Sequence, residues 1–262
     1  MYRGFNLKIE NEIEFNDYHI FGLEIFKTLK ESVATNLTNY LVPDGVLDGN
    51  KIMDDWFPEV KSHIFLSHSH NDLKNAIYIA GALYKEFKIL TFIDSTVWGY
   101  SNDLLKIIDD KYCKNLNSET YDYHFRNYST SHVHLMLSSA LNKMIDNSEA
   151  IFFLNSSNSV SARNITDKTN SAWIFSEINT SKIIGKKTPN RLKKITKAFS
   201  DTIMLSESKR SDLRIEYELE LSHFTNLNEN QFYRWLNTPS SSPESALDKL
   251  YIQNPIDSKF LI

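Results

Sequence analysis

A single cysteine, Cys113, stands in 262 residues, which excludes an internal disulfide framework and any zinc site built on several cysteines. No uncharged apolar run reaches the length needed to cross a bilayer, and the amino terminus lacks a basic stretch followed by a short hydrophobic core. A cytoplasmic protein with no membrane partner is therefore expected. Excess positive charge is missing too: the formal net charge is -4 and the pI about 6.1, so the molecule as a whole offers no polyanion-binding surface and nucleic acid is not an expected partner. No internal repeat is present. The exception to the charge balance is the stretch from Lys182 to Lys197, which carries seven bases and no acid. It reads as a solvated loop-and-helix face, or as a contact for nucleic acid, phosphates or a partner, and by itself it names no function.

What the chain does have is apolar residue in quantity: 41% hydrophobic and 13% aromatic, enough for one substantial core. HIFL, KILTFID and AIFFLN are short β-rich runs, and between them lie helical patterns such as Leu73, Ile77, Ala80, Tyr84 and Val133, Met136 or Leu137, Ala140, Met144. Alternation of this kind predicts a mostly parallel sheet covered by helices on both faces. The strands are expected at Ile64 to Leu66, Leu90 to Ile93 and Ala150 to Leu154. TIML and the alternating IEYELEL are further strand candidates, and FYRWL and ALDKLYI read as short helices. Residues 1–60 form an N-terminal accessory segment, with a helical stripe from Phe21 to Val33 and with Trp56 and Phe57 docking it. Residues 222–262 form a C-terminal extension.

The turn SHSHND follows the first of these strands, and its helix cap is Asn71 or Asp72. His63, His68 and His70 invite a metal reading, but no zinc-like spacing supplies the remaining ligands, so none is assigned. A turn presenting hydroxyls and imidazoles to a polar ligand is the alternative, beside plain turn and cap satisfaction. Asp94 ends the second strand, where a carboxylate binds ligand hydroxyls or simply caps a turn. Trp98 offers a stacking face, with Gly99 relieving the backbone beside it, although core packing accounts for Trp98 equally well. Trp173 and Glu177 stand four residues apart, on one face of a helix capped by Ser171. Local pattern alone makes Glu177 a surface residue.

Taken in order, these segments resemble a bacterial Toll/interleukin-1 receptor (TIR) domain. FLSHSHND is similar to the family's first strand and turn, TFID with WGYSNDLLKII to its second strand, BB loop and next helix, AIFFLNSSNS to its third strand, and SAWIFSEI to the helix bearing its catalytic glutamate. The resemblance spans residues 61–221. It implies a flavodoxin-like, doubly wound sheet and cleavage of the nicotinamide–ribose bond of NAD, which is consumed as substrate; no cofactor is implied. Carried across, the catalytic glutamate falls on Glu177 and the ligand-facing turn on Ser67, His68 and Ser69. The BB loop falls on Asp94 to Asp103, with Asp94, Trp98, Gly99 and Tyr100 as substrate contacts, and Trp173 is added beside Glu177. An ADP-ribose-type signal in antiviral or stress response, with TIR–TIR self-association or an effector protein as partner, would follow. The alternative is a non-catalytic TIR scaffold or adaptor, and a nucleotide-binding regulator using the basic segment ranks third. Unlike the family pattern, a long polar connection, Asn115 to Ser131, is expected before the next helix, touching the groove or a partner.

Overall fold

Runs of four or five apolar residues too short for a helix and flanked by polar turns become strands buried on both faces, which is how parallel sheets are built. The computed structural model describes residues 1–9, 16–29, 37–42, 46–116, 118–160, 168–192 and 216–256. Its strands are β1 (Arg3–Lys8), β2 (Ile64–Ser67), β3 (Thr91–Ile93), β4 (Ala150–Leu154), β5 (Lys168–Thr169), β6 (Tyr217–Glu218) and β7 (Phe224–Asn228). Five of them form one sheet in the order β3-β2-β4-β1-β7, every neighbouring pair parallel, while β5 and β6 make a small antiparallel pair. Helices α1 (Asp17–Leu29), α2 (Gly49–Trp56), α3 (Leu73–Phe87), α4 (Ser95–Tyr112), α5 (Tyr123–Asn147), α6 (Ala172–Ile183), α7 (Glu229–Leu236) and α8 (Pro243–Gln253) cover it.

Side-chain alternation splits the core in two. Phe5, Leu7, Ile64, Leu66, Phe152 and Leu154 point to one face, against α3, α7 and α8. Phe65, Phe92, Ile151 and Phe153 point to the other, against α2, α4, α5 and α6. A mostly parallel sheet with helices on both faces is the flavodoxin-like, doubly wound arrangement.

The sheet takes in more of the chain than residues 61–221. β1 lies between β4 and β7, so the N-terminal segment supplies an inner strand and the C-terminal segment an edge. Only Phe5 and Leu7 alternate in β1, with Gly4 before them and Asn6 between them, too short and too polar a pattern to mark a buried strand from sequence. Trp56 and Phe57 are buried, and α1 packs along α3. Val33, TIML and Ile215 lie outside the described residues.

Two expected loops are helical. The segment expected as the BB loop forms the first turns of α4, because Asp94 accepts from the Ser95 amide and Tyr100, Leu104 and Ile108 bury one helical face. The expected Asn115 to Ser131 connection is helical from Tyr123 onward, capped by Asp122, whose carboxylate accepts from the amides of His124 and Phe125. What remains is a tight hairpin closed by Asp122 N–H to Cys113 O at 2.7 Å. In the basic stretch, Lys182 pairs with Glu220, Lys187 with Asp146, and Arg191 with Glu149 and Asp248. These described bases meet acids brought from elsewhere in the chain, which favours the solvated-face reading.

Candidate functional site

β2 ends at Ser67 and β3 is followed directly by Asp94, so the parallel pairing of the two strands delivers both residues to the same carboxyl edge. Ser67 shares its strand face with Phe65, and Asp94 shares one with Phe92, which turns both toward the layer of α4, α5 and α6. α6, started by Ser171 accepting from the Ile174 amide at 3.3 Å, carries Glu177 to the same place. Ser67, His68, Asp94 and Glu177 are all buried, Glu177 to 2% exposure.

His68 Nδ1 lies 2.6 Å from Asp94 Oδ1, with the carboxylate off the ring's N–H direction. Its Nε2 is 3.2 Å from the Ser95 hydroxyl, and Asp94 Oδ1 also accepts from the Ser95 amide at 2.8 Å. The Ser67 hydroxyl and Asp94 carboxylate act on Glu177, yet neither Glu177 oxygen has a partner in hydrogen-bonding geometry. Burial, and then the charge of Asp94, raise the Glu177 carboxyl well above the usual carboxylate range, with Ser67 opposing in part. For His68, burial alone favours the neutral ring, but the charge and contact of Asp94 outweigh it and the ring's pKa is raised. Burial thus favours the uncharged form of Glu177, which lies beside the His68–Asp94 contact.

Asp72 is also buried, but it does not cap α3 with its side chain as expected. Instead it accepts from Ser156 Oγ at 2.5 Å and Asn158 Nδ2 at 2.7 Å, clasping the turn after β2 to the turn after β4. Strand order reverses between these two strands, and in open parallel sheets ligands bind at such a reversal.

The remaining candidates scatter. Ser69 is half-buried in the turn, and Tyr100 is buried in the core beneath α4. Trp173 packs edge-on against His134 at 5.8 Å. Trp98 and Gly99 belong to α4, and their side chains lie outside the described residues. His63 is at the opposite end of β2, accepting from the Leu90 amide, and His70 is exposed. Among the described residues no group of three or more His, Cys, Asp or Glu is arranged to hold a metal, and no helix is long and apolar enough to cross a membrane. Ser95 was missed in the sequence. A hydroxyl next to a strand-ending aspartate would have signalled it, had the following segment been read as helix. The chain matches no family model, no curated protein and no solved structure.

His223 braces the helix that bears Glu177, its Nε2 lying 2.9 Å from the Ser181 hydroxyl. Burial, with Lys182 adding to it, holds this imidazole down to about 4. A depressed pKa means that its contribution to stability is present above the unfolded value of about 6.5 and is lost as pH falls toward 4. The thermal midpoint should therefore drop across that window, and His223→Gln should flatten the drop. An identical acid limb in the variant would show that His223 does not brace α6 as a neutral ring.

Proposed function

We propose that the chain is a TIR-type NAD glycosidase that breaks the nicotinamide–ribose bond, with Glu177 as the catalytic carboxylate. One observation carries the reading: a glutamate is sealed at the carboxyl edge of a parallel sheet, in contact with Ser67 and Asp94 but with neither oxygen in well-aligned hydrogen-bonding geometry, and burial raises its pKa. Such a group lowers stability, and a strongly perturbed buried carboxyl points to function more often than an exposed one does.

Nicotinamide in NAD is already a cationic leaving group, so its departure needs little protonation and leaves an electron-poor, oxocarbenium-like ribose. A carboxylate at Glu177 stabilises that charge and holds ribose hydroxyls in position. Burial and the charge of Asp94 favour the protonated form of Glu177. The approach of a cationic ring favours the anion, since an opposite charge within a few ångström lowers a carboxyl pKa. Because Glu177 is sealed, the elements over it must part for substrate to enter, and an activator or self-assembly supplies that step. Hydrolysis, cyclisation and transfer of ADP-ribose share the same first bond cleavage. A role in antiviral or stress signalling rests on the resemblance.

A non-catalytic scaffold is the second reading. It is favoured by the exposed Phe125, Tyr128 and Leu135 on α5, which follow one another at helical spacing and cover one stripe. Chromatography of the full chain incubated with NAD separates the two readings. Free nicotinamide with an ADP-ribose product is expected. NAD that stays intact, with and without a self-assembled form of the chain, favours the scaffold.

A further inference from the structure

We propose that Ser95 is an activated nucleophile, with His68 as its general base and Asp94 as the carboxylate that orients His68, and that the chain thereby cleaves carboxylic esters. This activity is separate from NAD cleavage and does not rest on it. Three side chains stand in a line: Ser95 Oγ is 3.2 Å from His68 Nε2, and His68 Nδ1 is 2.6 Å from Asp94 Oδ1. Both separations are within reach of the nucleophile–base and base–orienter contacts that acyl transfer needs. The off-axis approach of Asp94 is of the kind that tightens when substrate binds.

Burial divides the roles. His68 and Asp94 are sealed, at 3% and 1% exposure, as a base and its orienting group should be, whereas Ser95 is half-buried and within reach of a substrate. The hydroxyl of Ser95 does not cap α4, because the neighbouring Asp94 carboxylate already receives the Ser95 amide. It is directed to the imidazole instead. Consecutive residues carry the nucleophile and the orienting carboxylate, so the strand-to-helix turn from β3 into α4 fixes their separation. That turn also sets the hydroxyl at the head of an 18-residue helix. The leading amides of a helix have no acceptor within it, and with the helix dipole they favour an oxyanion there.

In the reaction Ser95 Oγ attacks the ester carbonyl carbon while its proton passes to His68 Nε2, and the carbonyl oxygen becomes an oxyanion at the first turn of α4. Collapse breaks the bond to the alkoxy oxygen, which takes the proton from His68 and leaves as the alcohol. Water, giving a proton to His68, then attacks the acyl carbon. The bond to Oγ breaks, Ser95 recovers its proton from His68, and the carboxylic acid is released.

Labelling of the full folded chain with a fluorophosphonate, read by intact mass and peptide mapping, tests the proposal. One adduct on the peptide holding Ser95 is expected, and it should be absent in Ser95→Ala. Hydrolysis of p-nitrophenyl acetate should fall by about a hundred-fold or more in that variant. Ser95→Cys keeps the position and the volume and should be alkylated by iodoacetamide faster than buried Cys113. Wild-type protein that gains no adduct, or gains one elsewhere that persists in Ser95→Ala, overturns the proposal. The two readings fail separately: an unlabelled chain that releases nicotinamide sinks only the ester activity, and a labelled chain that leaves NAD intact sinks only the glycosidase.

Discussion

Gly81→Ala is expected to destabilise the protein by about 3 kcal/mol, near the upper end of overpacking costs. A Cβ at Gly81 would lie 1.8 Å from the Tyr18 carbonyl oxygen and 2.7 Å from the Gly22 amide nitrogen. From the other side, a Cβ at Gly22 would lie 2.0 Å from the Ile77 carbonyl oxygen. The obstructing atoms are backbone in both directions, so no rotamer change relieves the clash and α1 and α3 must separate. Alanine has better helix propensity than glycine by about 1 kcal/mol, which offsets only part of this. For a chain of this size about 2–4 °C of thermal midpoint accompanies each kcal/mol, so a loss of roughly 6–12 °C is predicted. Gly185→Ala, where nothing lies within 4 Å, serves as control and should change little. A Gly81→Ala protein as stable as the parent would mean that α1 does not cross α3 at these glycines.

Glu177→Gln should act in the opposite direction on stability, raising the thermal midpoint. The folded-state pKa of Glu177 is raised by burial and by Asp94, so the stability tied to its protonated form is complete below the unfolded value of about 4.5 and is lost as pH rises through the folded one. Glutamine keeps the volume and has no proton to lose. The gap between variant and parent should be small near pH 4.5 and widen toward neutral and alkaline pH, reaching on the order of 1–3 kcal/mol. His68 contributes a loss of the same sign above about 6.5, but it is common to both proteins. Thermal melts of the two proteins from pH 4.5 to 9 measure the gap. A variant less stable than the parent throughout would mean that the carboxyl is a structural element. A stabilised one fits a group kept for chemistry at the expense of stability.

The fold was legible where apolar residues were dense. HIFL, TFI and AIFFL could be read because strands covered on both faces need no polar alternation. β1 was not, because Gly4 and Asn6 dilute it and its partners β4 and β7 lie more than a hundred residues along the chain. The opening of α4 was hidden by glycine, serine and asparagine, which favour turns locally, and burial of Tyr100, Leu104 and Ile108 overrides that preference. At the site, Ser67, His68, Asp94 and Glu177 were all candidates from sequence, and strand register together with α6 brings them to one edge. Ser95 escaped notice because its role depends on the helix that was missed. Ser69 stays half-buried in its turn and Trp173 packs against His134, since neighbours in sequence at a turn or on a helix need not face the same point.

The central claim is that the Glu177 carboxylate stabilises developing positive charge during NAD cleavage, and nicotinamide release by the parent and by Glu177→Gln tests it most directly. Both proteins are assayed folded, under conditions where the parent releases nicotinamide. The account predicts that the variant is slower by about ten-fold to a thousand-fold, equivalent to roughly 1.4 to 4 kcal/mol of transition-state stabilisation, with no loss of thermal stability. Equal rates of release would contradict it.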